Sequence, residues 1–119
     1  MIKIGRIAVI FNFDDYYDAR DSSENIAWLY DTDYELLNSD NIKQIIFGGA
    51  RCKDHVVRSL LAGIPKEKMN WDKDEIESVR FLDVKNVDKI YILHDVYTVD
   101  IVKKVKEAII SKIKEIDKE

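Results

Sequence analysis

Apolar positions in this chain fall into short runs separated by polar turns. Residues 6–13 read RIAVIFNF, a nearly unbroken apolar run with β-branched members. Such a run predicts a central strand buried on both faces. It stops at Asp14, and the following DDYYDARDSSEN is acidic, aromatic and without period. That stretch is expected to be a loop at the carboxyl end of the strand, running into a short helix through Ile26 and Trp28. A second strand is expected over Gln44–Phe47, after which Gly48-Gly49 turns the chain into a helix that begins near Cys52. In that helix Val56, Val57, Leu60 and Leu61 form an apolar stripe, and Gly63 followed by Pro65 supplies a stop.

Further along, Lys68–Trp71 is expected as a short third strand, Asp74–Leu82 as another helix and Lys89–Leu93 as a final strand. From Thr98 to Ile116 the residues Ile101, Val102, Val105, Ala108, Ile109, Ile113 and Ile116 share one face with lysines opposite, which predicts an amphipathic helix. Strands alternating with helices imply an α/β fold, a three-layer Rossmann-like domain with a mostly parallel sheet. At 119 residues, with no internal repeat or low-complexity linker, the chain is expected to form a single domain over 1–119.

Composition narrows the function. Apolar residues make up 46% and charged residues 35% of the chain, the balance of an ordinary globular protein. A net charge of −4 argues against nucleic acid as the main partner, because that affinity comes from Lys and Arg neutralising phosphates. One cysteine, Cys52, leaves no internal disulfide and no four-cysteine zinc site, so a reducing cytoplasm is the expected compartment. Residues 1–13 lack the pattern of a signal peptide, and no apolar run reaches the roughly 18 residues of a membrane span.

Several residues invite chemistry. Asp14, Asp15, Asp18 and Asp21 crowd the loop after the first strand, where open α/β sheets place their sites. Such carboxylates could hold a magnesium ion or a base, although a solvated acidic loop accounts for them more simply, and neither metal nor cofactor is expected. A receiver domain of two-component signalling carries acidic residues there too, but it needs an Asp at the end of a later strand, where this chain has Gly48-Gly49. The turn Gly48-Gly49-Ala50-Arg51 leading into a helix resembles an anion site, yet it lacks the glycine spacing of a phosphate loop or a dinucleotide site. Cys52 and His55 lie three apart on one helix, as a nucleophile and base would, but a small packing cysteine is the plainer reading. His94 ends the last strand at the same sheet edge. Trp28, Tyr30 and Tyr34 suit a core or an interface equally well.

Taken in order, DARDSS at 18–23, WLYDTDYELL at 28–37, GGARCKDHVVRSLLAGIP at 48–65 and IYILHDVYT at 90–98 are similar to one family. They resemble the C-terminal domain of MurT, the Mur-ligase-like subunit of lipid II isoglutaminyl synthase. The family's pattern is approximately D-G-x-D-[ST]-S-W-[IL]-[WY]-D-x-D-[FY]-E-x-L. This chain matches it at Asp18, Asp21, Ser22, Ser23, Trp28, Leu29, Tyr30, Asp31, Asp33, Tyr34, Glu35 and Leu37. The resemblance implies a Rossmann-like domain that docks the glutaminase subunit GatD and lends an Asp to its Cys-His pair. A carboxylate there fixes the imidazole tautomer and stabilises its protonated form. Aligned on the Asp-Ser-Ser triplet, the lent residue is Asp21; four residues separate Ser23 from Trp28, and an ungapped alignment anchored on Trp28 sets Asn25 at that place.

These residues carry no phosphate loop and no zinc-ribbon cysteines, so ATP-dependent amidation is not expected of them. The resemblance implies an interaction module, not an enzyme on its own, serving peptidoglycan precursor amidation. Its partner is a GatD-like glutaminase or a Mur-ligase-like subunit, with Asp18, Ser22, Trp28, Tyr30 and Asp31 as contacts. Self-association into a homodimer is a companion expectation. The alternative is a small Rossmann-like ligand-binding or enzymatic domain, in which Gly48, Gly49 and Arg51 hold a phosphate- or carboxylate-bearing small molecule.

Overall fold

The structure is a computed structural model and describes residues 5–12, 34–94 and 99–117. Four strands form its sheet: β1 (Ile7–Asn12), β2 (Ile42–Gly48), β3 (Met69–Asp72) and β4 (Lys89–His94). Their order is β3-β2-β1-β4 and every neighbouring pair is parallel. The first strand is therefore central, as its unbroken apolar run requires. Two α-helices accompany the sheet, α1 (Cys52–Leu61) and α2 (Val99–Asp117), together with short 3-10 turns at Tyr34–Leu37, Lys66–Lys68, Glu77–Phe81 and Val84–Asn86.

Alternation along the strands sorts the core into two layers. Val9, Phe11, Ile45 and Phe47 point to one face and pack with Cys52, Val56, Ile64 and Met69. Ala8, Ile10 and Ile46 point to the other and pack with Val79, Leu82, Val105 and Ile109. The sheet is thus covered by α1 on one side and by α2 with the Glu77–Phe81 turn on the other, which makes the three-layer α/β fold expected from the sequence. Ile10, Ile45, Ile46 and Phe47 are all fully buried. Each such side chain contributes about 1.5–3 kcal/mol through the apolar surface it removes from water.

Helix α1 ends as the sequence predicts and buries a face the sequence does not. Gly63 takes a φ of 87° just past its last turn, and the Ile64 N–H reaches back to the Ser59 carbonyl at 3.1 Å. This satisfies carbonyls that would otherwise be left open, and the left-handed position suits glycine. The buried residues, however, are Cys52, His55, Val56, Arg58 and Ser59. Of the expected stripe only Val56 points inward; Val57, Leu60 and Leu61 are exposed at 49%, 44% and 68%. The inner face is polar because its polar groups find partners: the Ser59 hydroxyl donates to the His55 carbonyl at 2.8 Å, and His55 and Arg58 meet residues of the Tyr34–Leu37 turn.

The predicted helix over Asp74–Leu82 shortens to a 3-10 turn over Glu77–Phe81. Carboxylates take its first amides: Asp72 accepts from the Asp74 N–H, and Asp74 accepts from Ile76 and Glu77. At its far end the Lys112 ammonium of α2 donates to the carbonyls of Val79, Arg80 and Leu82. Side chains thus occupy backbone groups that a longer helix would have paired internally. The segment must also cross from β3 at one edge to β4 at the other, past two strands, which favours extended chain over compact helix. By contrast α2 runs as expected, burying Val102, Val105 and Ile109. No helix among the described residues is long and apolar enough to cross a membrane.

Candidate functional site at the carboxyl edge of the sheet

Parallel strands in register bring their carboxyl ends into one row. Asp72 of β3 pairs with Gly48 of β2, Gly48 with Asn12 of β1, and Asn12 with His94 of β4. At the ordinary spacing of strands, Gly48 and His94 stand about 10 Å apart across β1. This edge is where α/β sheets of this kind take ligands and partners.

At the β2–α1 turn, Gly49 has a φ of 116° and its N–H donates to the Asp72 carbonyl at 3.2 Å. The Cys52 N–H donates to the Gly49 carbonyl at 3.1 Å, and Arg51, at the start of α1, pairs with Asp54 at 3.7 Å. The Gly49 amide is thus taken by β3, and the Arg51 guanidinium stands beside a carboxylate of α1. Gly48, Gly49 and Arg51 sit together where the sequence placed them, at the tight strand-to-helix junction. Beside them Asp72 accepts from its neighbour's backbone and from Arg80 at 2.6 Å, contacts that hold its carboxyl below the usual range.

Cys52 and His55 both face the core. Each is 1% exposed, and burial pushes the Cys52 thiol up, away from the thiolate a nucleophile needs. Packing is the role of Cys52, as the plainer reading had it. His55 lies among rings, with Phe47 at 5.8 Å, Phe11 at 6.1 Å and Tyr34 at 6.2 Å between centroids. The Tyr34 hydroxyl and His55 Nδ1 share a hydrogen bond of 2.7 Å, and burial pushes the imidazole pKa down to about 4.

Tyr34 is 3% exposed and stacks on Phe11 at 6.0 Å, so the choice between core and interface is settled for this residue in favour of the core. Next to it, Glu35 accepts two hydrogen bonds from Arg58, at 3.2 and 3.3 Å, and the Arg58 guanidinium lies 5.2 Å from the Tyr34 ring centre. Leu37 packs against the same core layer. The Tyr-Glu-x-Leu end of the matched pattern is therefore a structural anchor on α1. Sequence reasoning missed this pairing; the one signal for it was the acid and aromatic at 34–35 set against a His and an Arg one turn apart on a helix.

The positions expected to touch a partner or lend a carboxylate, Asp18, Asp21, Ser22, Asn25, Trp28, Tyr30 and Asp31, lie outside the described residues, as do Asp14 and Asp15. What the fold does fix is where their segment starts and finishes. The chain leaves β1 at Asn12, on the carboxyl edge, and returns at Tyr34, which stacks on Phe11 one residue before that exit. Among the described residues, no group of three or more His, Cys, Asp or Glu side chains is gathered as a metal would require.

Parallel strand order and helices on both faces make this a three-layer, Rossmann-like α/β domain. The chain belongs to the MurT ligase C-terminal family, whose model matches residues 3–99. It is a Mur-ligase-related domain, and the matched span takes in all four strands, α1 and the acidic segment between β1 and Tyr34. No curated protein matches the sequence closely enough to count as a relative.

Proposed function

We propose that this chain is an interaction module that docks a GatD-like glutaminase in peptidoglycan precursor amidation and lends it the carboxylate of Asp21. The family match over residues 3–99 carries the reading, because it includes the DARDSS and WLYDTDYELL segments together with the scaffold that holds them. The geometry supports it in one respect: the segment's two ends are held side by side at the carboxyl edge, the place from which a loop can reach a partner. The module does no chemistry alone in this reading. Cys52 and His55 are core residues, and its contribution is a carboxylate that orients another protein's imidazole. It works in the cytoplasm, where such precursors are made. The rival reading, an anion site at Gly48, Gly49 and Arg51, is disfavoured by the internal partners these groups already have.

Co-purification of the tagged chain from its native cell tests this. Wild type, Asp21→Ala and Asn25→Ala are compared for glutamine hydrolysis in the material retained. The expected result is a bound glutaminase whose turnover falls by roughly 10²–10⁴-fold with Asp21→Ala while binding persists. A fall with Asn25→Ala instead moves the lent position to the ungapped alignment. Recovery of the chain alone, or as a homodimer without glutaminase, overturns the docking reading.

A further inference from the structure

We propose that two copies of this chain pair through β4, antiparallel about a two-fold axis, and so join their sheets into one of eight strands, four from each copy. The inference is independent of the glutaminase reading and starts from the edges of the sheet. Among the described residues β3 and β4 are the outer strands. The β3 edge is four residues long and carries Asn70 and Asp72, a short polar edge of the kind that discourages pairing. The β4 edge runs six residues, Lys-Ile-Tyr-Ile-Leu-His, pairs with β1 without a register shift, and has neither a proline nor an inner charge to deter another strand. Backbone alternation fixes which groups face outward. The Lys89 N–H donates to the Arg6 carbonyl, so Lys89, Tyr91 and Leu93 direct their main-chain groups at β1, and Ile90 and Ile92 direct theirs away from the sheet. A second β4 meets that outward ladder when the axis passes through Ile92. Ile92 then stands opposite Ile92 of the second copy, and Tyr91 opposite Leu93 of the second copy. Tyr91 and Leu93 are 50% and 41% exposed, and residues directly opposite share a face, so this register sets apolar against apolar.

Helix α2 supplies a second observation. It packs on β4 through a buried face of Val102, Val105 and Ile109, and on one flank of that face Lys112 reaches the carbonyls of Val79, Arg80 and Leu82, in a turn packed on β2 and β3. At about 3.6 residues per turn the opposite flank holds Val99, Ile110 and Ile113, which are 43%, 50% and 40% exposed. That flank looks past the β4 edge, so strand and helix present one continuous apolar surface on the same side of the molecule. An edge about 20 Å long, with a sheet layer and a helix layer each about 10 Å thick, offers roughly 400–500 Å² on each copy. Doubled, this approaches the roughly 1,000 Å² at which specific interfaces begin. The occupant is a second copy because only another strand edge can complete the outward ladder, and a two-fold pairing consumes each β4 once and closes.

Sedimentation equilibrium of the full chain tests this. Wild type is expected to dimerise with a dissociation constant of about 10 µM, the weak end for an interface of this size. Tyr91→Lys and Leu93→Glu are each expected to weaken the dimer at least about tenfold, because each sets a charge against an apolar residue. Tyr91→Lys/Leu93→Glu in one chain sets ammonium opposite carboxylate at both cross-strand pairs and should recover about threefold or more of the loss. Ile110→Glu is expected to weaken the dimer as well, whereas Leu61→Lys on the exposed side of α1 should leave it within about twofold. A second readout needs no variant: amide exchange at Ile90 and Ile92 should slow as wild-type concentration rises, while Tyr91 and Leu93, whose amides face β1, should change little. A wild-type monomer at concentrations of roughly 500 µM, a dimer that Leu61→Lys breaks and Tyr91→Lys spares, or a double variant with no recovery overturns the proposal. So does slowing at Ile90 and Ile92 only when a purified GatD-type glutaminase is added, a result that gives the edge to that partner and leaves the docking reading standing.

Discussion

The imidazole of His55 is 1% exposed, and its pKa falls from 6.5 to about 4 because burial penalises the charged form. Folded chain therefore holds this group neutral across a range in which unfolded chain holds it protonated. Between about pH 6.5 and pH 4 the unfolded state binds the extra proton, so stability rises with pH through that window. The contribution is complete above the unfolded value and is lost as pH falls through the folded one. A shift from 6.5 to about 4 at 1.36 kcal/mol per unit corresponds to about 3 kcal/mol. Carboxylates also destabilise the fold in acid, so the measurement must isolate one residue. Urea unfolding of wild type and His55→Gln at a series of pH values does this, since only the difference between the two curves belongs to the imidazole. Wild type is expected to lose about 3 kcal/mol more than His55→Gln between about pH 7 and pH 4. A difference that stays constant over that range, or a His55 ring resonance that titrates near 6.5, would refute the reasoning.

Other consequences can be checked by unfolding measurements. Gly49→Ala forces a side chain to a φ of 116° and should cost about 1–3 kcal/mol, with Ala50→Gly in the same turn as a mild control. Lys112→Met removes the ammonium from the carbonyls of Val79, Arg80 and Leu82 and should cost about 2 kcal/mol, with amide exchange rising first around the Glu77–Phe81 turn. On α1 the structure reverses the ranking that hydrophobicity suggests: Val56→Ala should cost about 2 kcal/mol, whereas Leu61→Gln should change stability by less than about 0.5 kcal/mol. Comparable losses for the last two would mean that α1 packs by its aliphatic stripe after all.

The strands and the two α-helices were legible in the sequence because burial of a parallel strand on both faces leaves an unbroken apolar run, and a long surface helix leaves an apolar stripe. The starts and stops were legible for the same kind of reason, since Gly49 and Gly63 take backbone angles that other residues resist. Two local readings failed where a distant side chain decides. The inward face of α1 depends on Tyr34 and Glu35, and the shortening of the Asp74–Leu82 helix depends on Lys112, far along the chain. No window of neighbouring residues contains those partners. The candidate site divides in the same way. The turn at Gly48, Gly49 and Arg51 was found where expected, and the role of Tyr34 and Glu35 emerged only when α1 was placed beside them.

The orientation of α1 predicts a kinetic cost. While the chain is collapsing, before Tyr34 and Glu35 have arrived, the helix has its own reasons to turn Val57, Leu60 and Leu61 toward the nascent sheet. That misdocked arrangement buries aliphatic surface at once but strands the native partners of His55 and Arg58, and escape from it requires the helix to roll before the sheet can be sealed. Local and global preferences conflict here, the condition that roughens a folding landscape. Refolding of this small domain should accordingly show a slow phase that vanishes when Leu60 and Leu61 are made polar, so that the residues least needed by the finished molecule govern how fast it is reached.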